Sequence, residues 1–289
     1  MGMRHFRRSG QRGASPGVAA SVRPVSSQPQ VALVTGASRG IGEVVAGRLA
    51  AAGYTVAAAA RSGPDLERVA AATGATAVVL DVTDPAAVAA AVARVEGELG
   101  PIGLLVNNAG VGGPGGPTWQ VDPASWWRVF EVNVLGAFLC CRAVLPAMTE
   151  RGFGRVVNVA SNAAFFRLDD SPLTGIGSAY MASKAALVRF TEAVASEVAE
   201  FGVSAFTISP GTVKTDMTVE LFADEWADDE LWASPELTAD LVEYLGTGAL
   251  DALSGRYLHA RDDAWRLFAE RAGQILADDM QALRLRRHE

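Results

Sequence analysis

Little in this 289-residue chain speaks for disulfides, metals or membranes. Only two cysteines occur, Cys140 and Cys141, and adjacency within a helix-like segment turns their side chains about 100° apart. They read as buried, reduced bystanders, which fits a reducing compartment and predicts a cytoplasmic protein. No cluster of cysteine and histidine is present, so no metal site is expected. The longest apolar stretches are broken by charge, and no membrane span is expected. Acids are missing from the first thirty residues, which hold Arg4, Arg7, Arg8, Arg12 and Arg23. With −7 overall, the rest of the chain carries −12. An acidic body without a basic stripe argues against a nucleic-acid partner. Residues 1–29 are expected to form a disordered basic extension. Their Arg- and Ser-rich composition also resembles an organelle transit peptide, and Arg7-Arg8 a twin-arginine signal, although no sustained apolar region follows that pair.

The chain does hold enough apolar matter for one substantial core, with 49% hydrophobic residues and a mean hydropathy of +0.19. No internal seam divides it. Apolar runs at 30–35, 55–60, 76–80, 102–106, 155–159 and 203–208 alternate with longer helix-like segments. That alternation predicts a single α/β domain, doubly wound, with a mainly parallel sheet and helices on both faces.

Two short signatures carry the chemistry. Thr35-Gly36-Ala37-Ser38-Arg39-Gly40-Ile41-Gly42 follows the apolar run Val31-Ala32-Leu33-Val34 and opens a helical segment. Glycines there let backbone approach a pyrophosphate and let the helix pack on the strand, while amides at the helix start hold the anion. Taken alone the triplet could be a tight turn; the strand and helix around it favour a dinucleotide cradle, as in a Rossmann-type fold. Further on, Tyr180-Met181-Ala182-Ser183-Lys184 puts a phenol and an ammonium on one helical face, with Cβ atoms about 5–6 Å apart. The ordinary pKa of tyrosine is about 10, and a neighbouring lysine is expected to lower it toward the working range of an acid and base.

These motifs resemble the short-chain dehydrogenase/reductase family in its single-domain form, from Gln30 to Leu258. Further landmarks of the resemblance are Asp81-Val82, Asn107-Asn108-Ala109-Gly110, Asn133, Ser161 and Pro210-Gly211. The resemblance implies a nicotinamide cofactor held by Gly36, Ser38, Arg39, Gly40, Ile41 and Gly42. It places Asp81 and Val82 by the adenine and Asn108, Ala109 and Gly110 beneath the adenosine side. Pro210, Gly211, Val213 and Thr215 should border the nicotinamide. It also implies a catalytic set in which Tyr180 transfers the proton, Lys184 lowers the Tyr180 pKa and holds the ribose, Ser161 orients the substrate oxygen, and Asn133 supports a water relay. Members that select NAD carry an acid at the end of the second strand; here that place is Ala60, followed by Arg61. Arg61 and Arg39 therefore favour NADP(H), with NAD(H) as the alternative, because guanidinium binds phosphate bidentately. The expected function is hydride exchange with a small-molecule carbonyl or secondary alcohol; a catalytically silent nucleotide-binding regulatory protein is the alternative from another class, disfavoured because Asn133, Ser161, Tyr180 and Lys184 are all present. A homodimer or homotetramer is the expected assembly.

The chain departs from the family in two places. Ser161 precedes Tyr180 by nineteen residues, more than is usual, which implies an insertion after Ser161. There Phe165 and Phe166 are expected to shape the substrate pocket or to cover apolar surface; Ser178 and Ser171 are weaker substitutes for the catalytic serine. A second wall is expected at 216–233, with Trp226 among its aromatics, either as a lid or as a packed helix pair. Past Leu258 the familiar ending gives way to His259-Ala260-Arg261, so a catalytic domain over 30–260 is followed by a helical tail, 261–289, packed on the domain or on a neighbouring subunit.

Overall fold

The computed structural model describes residues 30–165, 177–222, 232–261 and 263–284. The N-terminal extension and most of the insertion lie outside them. Within them the chain alternates β1 (Val31–Thr35), α1 (Gly40–Ala51), β2 (Thr55–Ala60), α2 (Gly63–Thr73), β3 (Thr76–Val79), α3 (Pro85–Leu99) and β4 (Ile102–Asn107). It continues through α4 (Pro123–Phe130), α5 (Gly136–Arg151), β5 (Gly154–Val159), α6 (Ser178–Val198), β6 (Val203–Ser209), α7 (Asp216–Phe222), α8 (Pro235–Gly246), β7 (Tyr257–His259) and α9 (Phe268–Ala277).

The seven strands form one sheet in the order β3-β2-β1-β4-β5-β6-β7, every pair parallel. Every residue of β1, β4, β5 and β6 is buried. Strands covered on both faces read as unbroken apolar runs rather than alternating ones, which is why they were visible in the sequence. One face packs Val45 and Leu49 of α1 against Leu241 and Leu245 of α8. The opposite face packs Val88 and Val92 of α3 against Leu139 and Val144 of α5 and Val194 of α6. Cys140 and Cys141 sit in that second core, where burial pushes the Cys140 thiol up to about 12 and keeps it protonated.

Helix starts follow local chemistry: Asp84 accepts from the amides of Ala86 and Ala87 ahead of α3, and Asp122 from Ser125 N ahead of α4. Between α4 and α5 a π-turn, Glu131–Leu135, continues the helix and carries Asn133. The uninterrupted stretch Pro123–Arg151 is long and apolar enough, by length and composition, to cross a membrane; half of its most apolar window is buried within the fold, as in a core helix.

The tail after Arg261 packs on its own chain. Trp265, Phe268 and Ile275 are buried in the α1/α8 core, and Trp265 donates from Nε1 to Ala260 O at 3.1 Å. Farther on, Arg256 pairs with Asp279 at 2.6 Å and Arg284 with Glu192 of α6 at 2.9 Å. The sheet order reverses between β1 and β4, so the connections leaving their carboxyl ends run to opposite faces and leave a crevice between them.

Candidate active site

A cleft of about 800 Å³ opens along the carboxyl ends of the strands. Its first wall is the turn from β1 into α1. Gly36 and Gly40 hold φ of +65° and +57°, a region costly to residues with a Cβ. A Cβ on Gly36 would come within 2.9 Å of Ala109 Cα, and one on Gly42 within 2.3 Å of Gly36 O. Gly36, Ser38, Arg39, Gly40 and Ile41 line the cleft, whereas Gly42 lies beneath it and serves the close packing of helix on turn.

Asn108 explains that closeness. Its Nδ2 donates to Thr35 O at 2.9 Å and Gly36 O at 3.2 Å, and Thr35 Oγ1 accepts from the amides of Asn108 at 3.0 Å and Ala109 at 3.1 Å. The side chain thus laces the ends of β1 and β4 together, and with Ala109 and Gly110 the residue also lines the cleft.

At the far end stand Ala60, Arg61, Asp81 and Val82. Asp81 Oδ1 accepts from Thr83 N at 2.9 Å and Thr83 Oγ1 at 2.7 Å. The Thr83 backbone bond, helped by Arg128 and Arg61, holds the Asp81 carboxyl below its usual range despite partial burial. Two charged residues that the sequence did not single out, Asp65 and Arg128, also line this end. Asp65, in the first turn of α2, accepts from Ser62 Oγ at 2.6 Å beside Arg61, so an acid does border this end of the cleft. Arg128 of α4 reaches it from below, 3.7 Å from Asp81. Arg39 pairs across the mouth with Asp216 of α7 at 2.9 Å, both side chains 74% exposed.

Ser161, Tyr180 and Lys184 line the other end, and Pro210, Gly211, Val213 and Thr215 line the cleft as well, Thr215 with its methyl 3.4 Å from a Cβ placed on Gly40 of the glycine turn. Lys184, one of two lysines in the chain, is buried and donates from Nζ to Val159 O at 2.8 Å. Its Nζ lies 5.5 Å from the centre of the Tyr180 ring. Burial lowers the Lys184 pKa to about 8. Burial likewise raises the Tyr180 phenol above its ordinary value, with a hydrogen bond to Ser161 pulling the other way. The expected lowering of Tyr180 by Lys184 is therefore not met in this state: loss of water around both groups is the larger effect.

Asn133 does not line the cleft. Its Oδ1 accepts from Val111 N at 2.9 Å, and its Nδ2 donates to Val111 O at 3.1 Å and Ser183 Oγ at 3.0 Å. A Cβ on Gly110 would fall 3.3 Å from Asn133 Oδ1 and 3.6 Å from Lys184 Nζ, so bare backbone lies between the two side chains.

Ser178 is occupied at the start of α6, accepting from Trp126 Nε1 at 3.1 Å and bonded to Thr118 Oγ1 at 3.2 Å. It lies off the cleft surface, as does Phe165, whose ring packs edge-on against Tyr257 at 4.7 Å instead of facing the cleft. Phe166, Ser171 and Trp226 lie outside the described residues. Met217, from the second wall expected at 216–233, lines the cleft, and so do Asn162, His259 and Arg261, which sequence did not single out for it because they are reached only through the pairing of β5, β6 and β7.

A family model described as short chain dehydrogenase matches residues 30–226. The chain is 39% identical over 264 residues to the short chain dehydrogenase mpl6 of Monascus purpureus, covering 87% of each protein. It is 41% identical over 201 residues to 2,3-dihydro-2,3-dihydroxybenzoate dehydrogenase of Bacillus subtilis, covering 68% of this chain and 74% of that protein. Among solved structures it is similar to a variant of actinorhodin polyketide ketoreductase with NADPH, at a TM-score of 0.72 and 32% identity over 80% of this chain and 95% of that one.

Proposed function

Since the chain belongs to the short-chain dehydrogenase/reductase family, we propose that it is an NADP(H)-preferring oxidoreductase exchanging a hydride with a carbonyl or secondary-alcohol substrate, with Tyr180 as general acid and base. The observation that carries this reading is one continuous cleft with the glycine turn at one end and Ser161, Tyr180 and Lys184 at the other. The cleft fits a dinucleotide: left-handed Gly36 and Gly40 leave bare backbone at the start of α1, where a pyrophosphate would sit. A bound nicotinamide supplies or accepts the hydride.

The chain's part is the proton. Reduction of a carbonyl builds negative charge on its oxygen, which needs a donor and then a proton. Tyr180 Oη holds that proton; burial keeps the phenol protonated at neutral pH, which suits donation to substrate. Ser161 Oγ orients the oxygen. Lys184, still mostly cationic at pH 7 with a pKa of about 8, favours negative charge on Tyr180 and binds the ribose. Asn133 fixes the backbone at Val111, and its proposed part is to support a water relay behind Lys184. For alcohol oxidation the same groups work in reverse, and Tyr180 must first lose its proton. That step becomes easier as pH rises.

Arg61 and Arg39 support NADP(H), since each can pair with a 2′-phosphate. Asp65 supports the second reading, a preference for NAD(H), because its carboxylate stands where it would oppose that phosphate. Val111, Val159, Val213 and Met217 give the reacting end apolar walls suited to a moderately apolar substrate. Leu135 and Phe138 are 40% and 43% exposed, and Phe138 meets Phe190 edge-on at 6.3 Å across α5 and α6, an apolar face suited to a homodimer.

Titration of the purified protein with NADPH and with NADH, followed by a ketone and aldehyde panel at saturating cofactor, tests the reading. Tighter NADPH binding with turnover is the expected result. Tighter NADH binding would move the preference to NAD(H), and failure to bind either would overturn the proposal.

A further inference from the structure

Tyr257, which the proposed reaction does not use, touches the turn that follows Ser161 at two residues. It lies on β7, ninety-six residues beyond Ser161, and is 8% exposed. Its hydroxyl donates to Asn162 Oδ1, and its ring packs edge-on against Phe165 at 4.7 Å. Asn162 opens and Phe165 closes the short 3-10 turn Asn162–Ala164, which Ser161 caps by accepting from Ala163 N at 3.1 Å. A second tether comes from β6, where Ser209 Oγ accepts from Asn162 N at 3.2 Å. Tyr257 is itself held from behind: its amide donates to Gln281 O of the tail at 2.8 Å.

We propose that Tyr257 is a positioning residue for Ser161, fixing through Asn162 and Phe165 the turn that sets the serine hydroxyl against Tyr180. The inference rests on the reading of Ser161 and Tyr180 given above. A short turn with one capping bond is easily displaced, and half an ångström at a hydroxyl is enough to spoil a catalytic hydrogen bond. Anchoring from β7 supplies the rigidity that the turn cannot give itself, because β7 is fixed by β6 on one side and by the tail on the other.

The test compares Tyr257→Phe, which keeps the ring against Phe165 and removes only the hydroxyl, with Ser161→Ala and with the double variant. Only four tyrosines occur, so the protein labelled at tyrosine Cζ gives few carbon resonances, and Tyr180→Phe assigns the one that matters. At neutral pH and without substrate, Tyr257→Phe should move the Tyr180 resonance in the direction that Ser161→Ala moves it. The double variant should show no further movement, since residues acting through one another are not additive. With NADPH and the best carbonyl of the panel, Tyr257→Phe should lower kcat about tenfold with cofactor Kd unchanged, and by less than about twofold in the Ser161→Ala background. An unmoved Tyr180 resonance, or equal losses of kcat in both backgrounds, would overturn the proposal. If Tyr180→Phe keeps full turnover, the reading of the cleft fails first and the proposal with it. Loss of kcat accompanied by a lowered Tm but an unmoved resonance would mark Tyr257 as a packing residue only, which also overturns it.

Discussion

At the glycine-turn end of the cleft the charges stand in water, with Arg39 and Asp216 each 74% exposed, whereas at the other end Lys184 is 5% exposed and Tyr180 is half-buried. The first end works by shape. Glycines there allow the backbone to bend and approach, and its exposed ion pairs are screened. The second end works by removing water, which perturbs two titratable groups at once and costs stability to maintain. Structural demands on the first are therefore steric, and on the second electrostatic.

Lys184→Met separates the two most strongly. Turnover should fall by about 10²-fold or more, the usual scale for a proton-transfer site. The variant should nevertheless be more stable than the native protein at pH 7. Lys184 has a folded pKa lowered from 10.5 to about 8, so between those values the unfolded chain binds the extra proton and stability rises with pH. Thermal unfolding should show the gap between the two proteins narrowing from pH 8 toward 10.5; a variant less stable at pH 7 would remove the argument from burial.

Gly42→Ala tests the steric end. The added Cβ meets backbone at 2.3 Å, and strain of this kind costs about 1–3 kcal/mol. Denaturant unfolding should register that loss, and cofactor affinity should fall because the turn over Asn108 can no longer close. Unchanged stability would mean that the helix shifts freely.

Arg61→Asp should weaken NADPH about 10- to 100-fold and leave NADH within a few-fold, by calorimetry, since only one cofactor carries the 2′-phosphate. Equal effects would deny Arg61 a part in the choice. Asp216→Asn has the smallest expected effect: no measurable change in Tm, and NADPH affinity altered by less than about threefold, as for exposed ion pairs. A large loss would show that this contact closes the mouth of the cleft.

The contrast also explains what could be read from the chain alone. Strands β1, β2, β4, β5 and β6 were legible to within a residue or so because a parallel sheet covered on both faces leaves continuous apolar runs. The glycine turn was legible because its constraint is local. Harder to read were the roles that depend on partners distant in sequence. Asn108 bonds Thr35 and Gly36 more than seventy residues away, and Tyr257 reaches Asn162 across ninety-five; no periodicity encodes either contact. Asp65 was not legible because the acid that reaches the cleft stands in the first turn of α2, beyond the end of β2. The direction of the Tyr180 shift is not legible in the chain, because spacing reveals a neighbouring charge but not the loss of water.

The most direct test of the central claim is Tyr180→Phe, with NADPH binding and carbonyl reduction measured on the same preparation. The account expects a Kd within about threefold of the native value and turnover reduced by about 10²- to 10⁴-fold, because the steric end is untouched and only the proton is lost. Retained turnover on every substrate of the panel would contradict it.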